Sequence, residues 1–365
     1  MHKPELLGLT GIRFYAALLV YLSHVVEVIP GMGALGQSIL LFNAGVVGVS
    51  FFFVLSGFIL TYNYAAVFSE GVSASSYKQF VLDRLARIYP VHLLALLMVA
   101  PIAILSPNFP FDWRAVPFHL LLLQCWWPSS TPAFFQYLNV PSWSISCEWF
   151  FYILAPMAIY FAFGNLRRWG MVGIIVGYMS GLAWILWGSS EDSVRLHFVS
   201  WFAPTRVAEF VVGVFLARLF LGQRANRVAK WASWVQVAGI FLVIVGALYR
   251  QSAVWPLWGG LLYVPGSALL ILGLAYGRGP FVAHLSRPWL KRLGMASFAF
   301  YMIHGPLLRT TKNVFFYLGW EVKSWPLFWG VAITLLILIQ IAALAVYWRF
   351  ETPIQRRLRT LIRSH

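Results

Sequence analysis

The chain has 365 residues, of which 60% are hydrophobic and only 10% are charged, and its mean hydropathy is +0.75. A soluble globular domain carries about 25% charged residues, so the composition excludes that class and indicates an integral membrane protein. The formal net charge of +16 does not predict a nucleic-acid partner, because the basic residues lie in short segments between apolar runs, where they orient spans in a membrane.

Apolar runs follow one another along the whole chain, and a helix needs about 20 such residues to cross a bilayer. The first run continues to Val28 without a small-residue cleavage pattern, so we expect a retained span rather than a signal peptide. Residues 1–365 are expected to form a single membrane domain without an appended soluble domain. Eleven candidate segments lie near 9–28, 43–65, 88–106, 114–127, 143–163, 170–188, 199–217, 231–249, 255–276, 295–315 and 326–348.

Loop charge favours ten spans over eleven, because cytoplasmic loops are enriched in Lys and Arg. If segment 114–127 does not cross, 19 Lys and Arg residues lie on the cytoplasmic side and six on the outer side. The segment is also short, and Trp126 and Trp127 suit a membrane interface. We therefore predict an all-α polytopic fold with about ten transmembrane helices, both termini cytoplasmic, and a re-entrant or interfacial segment at 114–127 on the outer side.

The first predicted span contains Arg13 and His24, which are ionisable. Their separation of eleven residues places them on one helix face, about 16 Å apart along the axis. Arg13 is then near the cytoplasmic boundary and His24 near mid-membrane, where ionisable groups mark functional sites. The alternative is that Arg13 only sets topology and that His24 is a hydrogen-bonded interior histidine.

His304 is expected at a similar depth in a later span, in front of Pro306. The proline weakens the helix locally, since it has no backbone N–H. Two histidines at matching depth favour a shared functional site. A structural hydrogen bond to a neighbouring helix is the alternative for His304.

Polar groups also occur in two other spans. In SWSISCEWFFY, Ser144 and Glu148 lie at the outer end of a span, where Glu148 can bind an acceptor or pair with a cation. Arg206 and Glu209 are three residues apart, and either they neutralise each other within the bundle or they line a cavity.

Arg84 and Arg87 are predicted in a basic loop at the cytoplasmic entry of the third span. Such residues set topology, but two arginines one turn apart also suit a phosphate-bearing ligand from the cytoplasm. In GVSFFFVLSGFIL, small residues such as Gly57 permit close helix packing. Cys125 and Cys147 lack metal-ligand spacing, so no metal site is expected.

Seven segments resemble those of the acyltransferase-3 family and occur in the same order along the chain. Members of this family are integral membrane enzymes that O-acylate cell-envelope and exported polysaccharides. Each segment is a weak signal alone, but together they cover most of the chain. They are LTGIRFYAALLVYLSH, GVSFFFVLSGFIL, RLARIYP, VPSWSISCEWFFYILAP, RVAEFVVGVFLA, SFAFYMIHGPLL and FETPIQRRL.

The resemblance implies roles for particular residues. Arg13 and His24 match the family's hallmark pair, with His24 as the catalytic residue, and Arg84 and Arg87 match its paired arginines on the acyl-donor side. His304 matches the histidine of a late tyrosine-histidine-proline-like motif, which here has a glycine before the proline. The candidates for acceptor binding or the cavity are Trp143, Ser144, Glu148, Arg206, Glu209 and His304.

The expected reaction uses acyl-CoA as a co-substrate, with acetyl as the acyl group most common in the family, and no tightly bound cofactor. Neutral His24 takes a proton from a hydroxyl of a polysaccharide or lipid-linked sugar, which attacks the thioester. The expected location is the cytoplasmic (inner) membrane, with membrane lipids as further partners. An acyl-enzyme on Ser144 stays open, as do a proton-coupled transporter or flippase and a purely structural membrane subunit.

Overall fold

The computed structural model describes residues 4–29, 44–105, 112–126, 138–164, 173, 200–222, 229–249 and 259–363. Within these ranges the chain is all-helical and contains no strand, in agreement with the predicted fold class. The α-helices are α1 (Leu7–Val28), α2 (Gly45–Phe68), α3 (Ala74–Leu105), α4 (Val116–Leu120), α5 (Ser142–Phe163), α6 (Ala203–Leu221), α7 (Ala232–Tyr249), α8 (Val264–Ala275), α9 (Pro280–Leu285), α10 (Pro288–Met295), α11 (Ser297–Leu318), α12 (Trp325–Val346) and α13 (Thr352–Arg363). Short 3-10 turns precede α4 (Trp113–Ala115) and α8 (Gly259–Tyr263), and a π-helical turn (Tyr347–Glu351) joins α12 to α13.

Five helices of the described ranges are long and apolar enough to cross a membrane. These are α1, α2, α3, α5 and the continuous helix that begins with α12; α7 and α8 are apolar but shorter. The chain is thus a multi-pass membrane protein. The count of ten spans and the cytoplasmic termini stay predictions, and the predicted span 170–188 lies outside the described residues.

Helix α3 corrects the prediction for the third span, because it begins at Ala74 rather than near residue 88. The Ser73 hydroxyl accepts the backbone N–H of Ser76 at 3.1 Å, which caps the first turn. Arg84 and Arg87, predicted in a loop, therefore lie on a helix. Their spacing is fixed at about one turn, so their side chains lie on the same side of α3. The basic segments after α8 and α12 are likewise helical, as α9, α10 and α13.

The segment predicted not to cross the membrane contains only the short helix α4, which at five residues cannot span a bilayer. The chain after α4 packs against the N-terminal ends of two helices. Ser146 of α5 donates its hydroxyl to the carbonyl of Leu122 at 2.7 Å, and the N–H of Ala203 in α6 donates to the carbonyl of Cys125 at 2.8 Å. The described part of segment 114–127 therefore contains no helix that could cross a membrane, and its re-entrant or interfacial position stays a prediction.

Helices α2 and α6 cross so closely that neither accommodates a side chain at the crossing. A Cβ added to Gly57 would overlap the carbonyl oxygen of Phe210, and one added to Gly213 would overlap that of Val54. The close packing predicted for the small residues around Gly57 is confirmed.

Contacts between helix termini define two ends of the bundle. At the first, called the arginine end, the Tyr62 hydroxyl of α2 donates to the carbonyl of Pro4 before α1 at 3.0 Å, and Arg84 of α3 donates to the Tyr64 hydroxyl at 3.2 Å. At the opposite end, the start of α2 at Gly45 packs on Ser23 of α1. Arg13 and His24 therefore lie toward different ends of the same helix.

Candidate active site

His24 of α1 and His304 of α11 are in direct contact. His24 Nδ1 lies 2.8 Å from His304 Nε2, and the two rings are stacked at 16° with centroids 5.1 Å apart. This contact confirms that the two residues lie at the same depth. His304 is fully buried, in contact with the rings of Phe300 and Tyr301.

The hydrogen bonds of this pair assign the ring protons when both rings are neutral. His304 Nδ1 faces the carbonyl oxygen of Phe300 at 3.3 Å, and a carbonyl only accepts, so this nitrogen carries the proton. His304 Nε2 then has a lone pair and accepts the Nδ1–H of His24. The proton-free atom of His24 is consequently Nε2, the form that a general base needs.

A cavity of about 430 Å³ opens between α1, α2, α3, α5 and α11, and we call it the arginine cavity. It extends from Pro4 and Asn63, at the arginine end, to Ser144 and Tyr301. Its ionisable and hydroxyl lining includes Glu5, Thr10, Arg13, Ser56, Tyr62, Arg84, Arg87, Ser144, Glu148, Tyr152, Ser297 and Tyr301.

The three arginines of this cavity are only partly neutralised. Arg87 pairs with Glu351 at 2.5 Å, and Glu351 is 1% exposed. Among the described residues, Arg84 hydrogen-bonds only the Tyr64 hydroxyl, and its Nε is buried without a partner there. Arg13 makes no hydrogen bond or ion pair with the described residues. Such a site attracts an anion whose oxygens accept several N–H groups, as phosphates do.

Glu148 belongs to the arginine cavity. The sequence allowed it either to bind an acceptor or to pair with a cation, and it lines the same cavity as Arg13 and Arg84. Its Oε2 accepts the Tyr152 hydroxyl at 2.8 Å.

A second cavity, of about 170 Å³, lies toward the opposite end, and we call it the histidine cavity. His24 lines it, together with residues that hydrogen-bond or carry charge: Glu27, Asn139, Arg309 and Lys312. The remaining lining is mostly apolar. His24, but not Arg13, therefore lines a cavity that has its own polar groups.

Tyr301 and Ser144 separate the arginine cavity from the histidine pair. Their hydroxyl oxygens are 2.8 Å apart, and both residues line the arginine cavity. The ring of Tyr301 also contacts that of His304, with centroids 5.7 Å apart. The two cavities therefore approach the histidine pair from different ends.

Three other sequence candidates lie apart from both cavities, in one buried cluster. Arg206 binds Glu209 through two hydrogen bonds of 2.7 and 2.9 Å, and its side chain also bonds the Ser50 hydroxyl at 3.1 Å. Its guanidinium lies over the rings of Phe53 and Trp143, 5.0 and 5.5 Å from their centroids. Of the two readings weighed from sequence, mutual neutralisation describes this arrangement, and Trp143 contributes a ring face to it.

The sequence profile of the acyltransferase-3 family, described as an acyltransferase domain, matches residues 6–346. The chain belongs to the acyltransferase-3 family. Acyltransferase MdmB of Streptomyces mycarofaciens is 29% identical over 321 residues, which cover 83% of this chain and 79% of MdmB. YrhL of Bacillus subtilis (strain 168), named as a proposed peptidoglycan O-acetyltransferase, is 23% identical over 97% of this chain and 55% of its own length. A Staphylococcus aureus (strain COL) protein, named as a proposed O-acetyltransferase, is 23% identical over 96% of this chain and 57% of its own length.

Membership of the acyltransferase-3 family makes the chain an acyltransferase and confirms the resemblance found in its sequence segments. The chain spans a little over half the length of YrhL and of the S. aureus protein. No solved structure matches the chain significantly. The family therefore gives the class of reaction, and the cavities above give the groups available for it.

Sequence reasoning missed several residues that complete the site. Tyr152 follows Glu148 by four residues and Tyr301 precedes His304 by three, but tyrosines are common in apolar spans and give no separate signal. Glu351 stands in the segment FETPIQRRL, which was noted only for its resemblance. Asn139 precedes the segment with Trp143 and Glu148, in a short loop whose position no sequence pattern indicates.

Proposed function

We propose that this acyltransferase is a membrane-embedded O-acyltransferase that moves an acetyl group from cytoplasmic acyl-CoA to a hydroxyl of an envelope acceptor. One observation carries the proposal: a cavity with three arginines and a separate cavity lined by His24 approach the same histidine pair from different ends. The names of the relatives, which include O-acetyltransferases, support an acetyl group and an oxygen acceptor.

Acyl-CoA enters the arginine cavity from the cytoplasm in this proposal. Its phosphates bind Arg84 and Arg87, on adjacent turns of α3, and Arg13 holds the donor farther along the cavity. Arg84 contributes more readily than Arg87, because no carboxylate pairs with Arg84 within 4 Å among the described residues. Arg87 exchanges its bond to Glu351 for a phosphate oxygen.

His24 acts as the general base. Its Nε2 takes the proton of the acceptor hydroxyl, and the hydroxyl oxygen attacks the thioester carbonyl. CoA leaves as the thiol after the proton passes to its sulfur. His304 accepts the Nδ1–H of His24 and so keeps the proton-free nitrogen at Nε2, in the way that a carboxylate orients other catalytic histidines.

The acceptor occupies the histidine cavity, where Glu27, Arg309 and Lys312 offer polar groups to a sugar with several hydroxyls. A cell-surface or exported polysaccharide, or a lipid-linked sugar, is the proposed acceptor class, and YrhL is named for peptidoglycan. The arginine end faces the cytoplasm, and the histidine cavity faces outward, in a cytoplasmic (inner) membrane. The acyl group then crosses the membrane past Tyr301 while CoA stays inside.

The test uses purified protein, acetyl-CoA and polysaccharide isolated from a strain that lacks this gene, so that the acceptor hydroxyls are free. Release of the CoA thiol is measured together with the acetyl mass gained by the polysaccharide. His24→Gln is expected to lower the rate by about 10²- to 10⁴-fold, the usual contribution of a general base. The control is His284→Gln, since His284 lies outside both cavities.

Both variants must elute as the wild-type protein does on size exclusion, so that a loss of rate reports chemistry rather than unfolding. An unchanged rate in His24→Gln would show that His24 is not the base. Movement of the sugar without thiol release would instead support the transporter that the sequence left open.

A further inference from the structure

Helix α11 contains a break in its hydrogen bonding next to His304. Pro306 has no backbone N–H, so the carbonyl of Met302, four residues earlier, has no partner within the helix. The side chain of Asn139, from the loop before α5, supplies the missing donor: its Nδ2 donates to the Met302 carbonyl at 3.1 Å. Asn139 is 1% exposed, so water does not compete for this bond.

Gly305 makes this approach possible. A Cβ at residue 305 would lie 2.6 Å from Asn139 Oδ1 and 2.8 Å from Pro141 Cδ, both closer than real Cβ atoms come to such neighbours. The glycine and the proline that follow His304 therefore act together. Pro306 leaves a carbonyl open, and Gly305 lets the amide of Asn139 reach it.

Asn139 lies on a short loop that is held in place by hydrogen bonds. The carbonyl of Asn139 accepts both the backbone N–H and the hydroxyl of Ser142, at 2.9 and 2.7 Å. Arg309, on α11 beyond the proline, donates to the carbonyl of Leu138 at 3.4 Å. The loop thus contacts α11 on both sides of Pro306.

We propose that Asn139 is a positioning residue for catalysis, which replaces the N–H absent from Pro306 and so holds the turn that carries His304. The inference rests on the proposed role of His24. Without Asn139, a buried carbonyl is left unpaired, and the turn from Met302 to Pro306 shifts to satisfy it. His304 Nε2 then moves from its place 2.8 Å from His24 Nδ1, and His24 loses the bond that orients it.

Asn139 also lines the histidine cavity, and its Oδ1 is buried without a hydrogen-bond partner, so a direct contact with the acceptor is the competing explanation. The two roles predict different effects of a second substitution on the activity of an Asn139 variant. Pro306→Ala returns a backbone N–H to residue 306, which can bond the Met302 carbonyl in the ordinary helical way. If Asn139 only positions the turn, its loss should not lower activity in the Pro306→Ala protein. If Asn139 contacts the acceptor, its loss should lower activity there too.

The experiment compares Asn139→Leu, Pro306→Ala and the double variant in the thiol-release assay. Asn139→Leu is expected to lower kcat by about 10²-fold, the usual effect of misplacing a catalytic group by about 1 Å, with KM for acetyl-CoA and for the polysaccharide unchanged. Pro306→Ala and the double variant are both expected to stay within about threefold of the wild-type kcat, well short of that loss.

A double variant as slow as Asn139→Leu, or a raised acceptor KM without rescue, would overturn the positioning role. An inactive Pro306→Ala variant would also contradict the positioning role, because the proposal assigns the proline no other role. If Asn139→Leu does not fold, the double variant still tests the proposal, because recovery of folding and activity requires only the backbone N–H restored at residue 306. Failure of the proposed function is separate: it appears as an unchanged rate in His24→Gln.

Discussion

Removing one partner of the ion pair between Arg206 and Glu209 should strongly destabilise the fold. Glu209 is fully buried and Arg206 is 2% exposed, so Glu209→Gln leaves a guanidinium charge without its carboxylate. Breaking such a buried pair costs about 3 to 5 kcal/mol. Since about 1.4 kcal/mol is a factor of ten, the folding equilibrium falls by roughly two to three and a half orders of magnitude.

The assay is the midpoint of thermal aggregation of the detergent-solubilised protein, followed by size exclusion of a fluorescent fusion. Glu209→Gln should lower the midpoint by many degrees. The double variant Arg206→Met/Glu209→Leu should recover most of it, because no buried charge is then left unpaired. Asp112→Asn is the control: it breaks the ion pair with Arg114, which is solvent-exposed, and should leave the midpoint unchanged.

The result that refutes this reasoning is a Glu209→Gln protein with the wild-type midpoint and no acyl transfer. It would show that the pair acts on a substrate rather than on the fold, which is the reading that the sequence also allowed. Equal loss of stability in the single and double variants would show that the contacts of Arg206 with the rings of Phe53 and Trp143 matter more than its charge.

Three further outcomes are expected. Gly57→Ala should lower the aggregation midpoint, since overpacking a closed crossing costs about 1–3 kcal/mol, whereas Gly71→Ala, with open space around it, should not. Arg84→Gln should raise KM for acetyl-CoA but not for acetyl-pantetheine, which lacks the nucleotide phosphates; an equal rise for both would contradict phosphate binding. Glu351→Gln should weaken the attachment of α13 through Arg87 and speed its removal by trypsin, measured by mass spectrometry.

The sequence predicted the large features because they depend on local properties. Hydropathy and helix length identify apolar membrane spans without reference to the rest of the chain. Depth is also local: Arg13 and His24 follow from the rise per residue along a single helix. The small residues at Gly57 indicated close packing for the same reason, since the absence of a side chain is visible in the sequence.

The partners of those residues depend on tertiary structure. His24 and His304 are 280 positions apart, and only the packing of α1 against α11 brings Nδ1 of one to Nε2 of the other. Glu148 shows the same limit, because the cavity that its side chain lines is formed only when α5 packs against other helices.

The sequence alone thus determined that the chain crosses a membrane, that its spans bury ionisable residues, and which residues resemble an acyltransferase. The tertiary structure decided which of those residues share a cavity. It paired Arg206 with Glu209 away from both cavities, and it placed Asn139 against the carbonyl that Pro306 leaves open. The physical reason is that burial and spacing are properties of a segment, whereas a hydrogen bond between segments exists only once the packed helices fix the distance and direction between donor and acceptor.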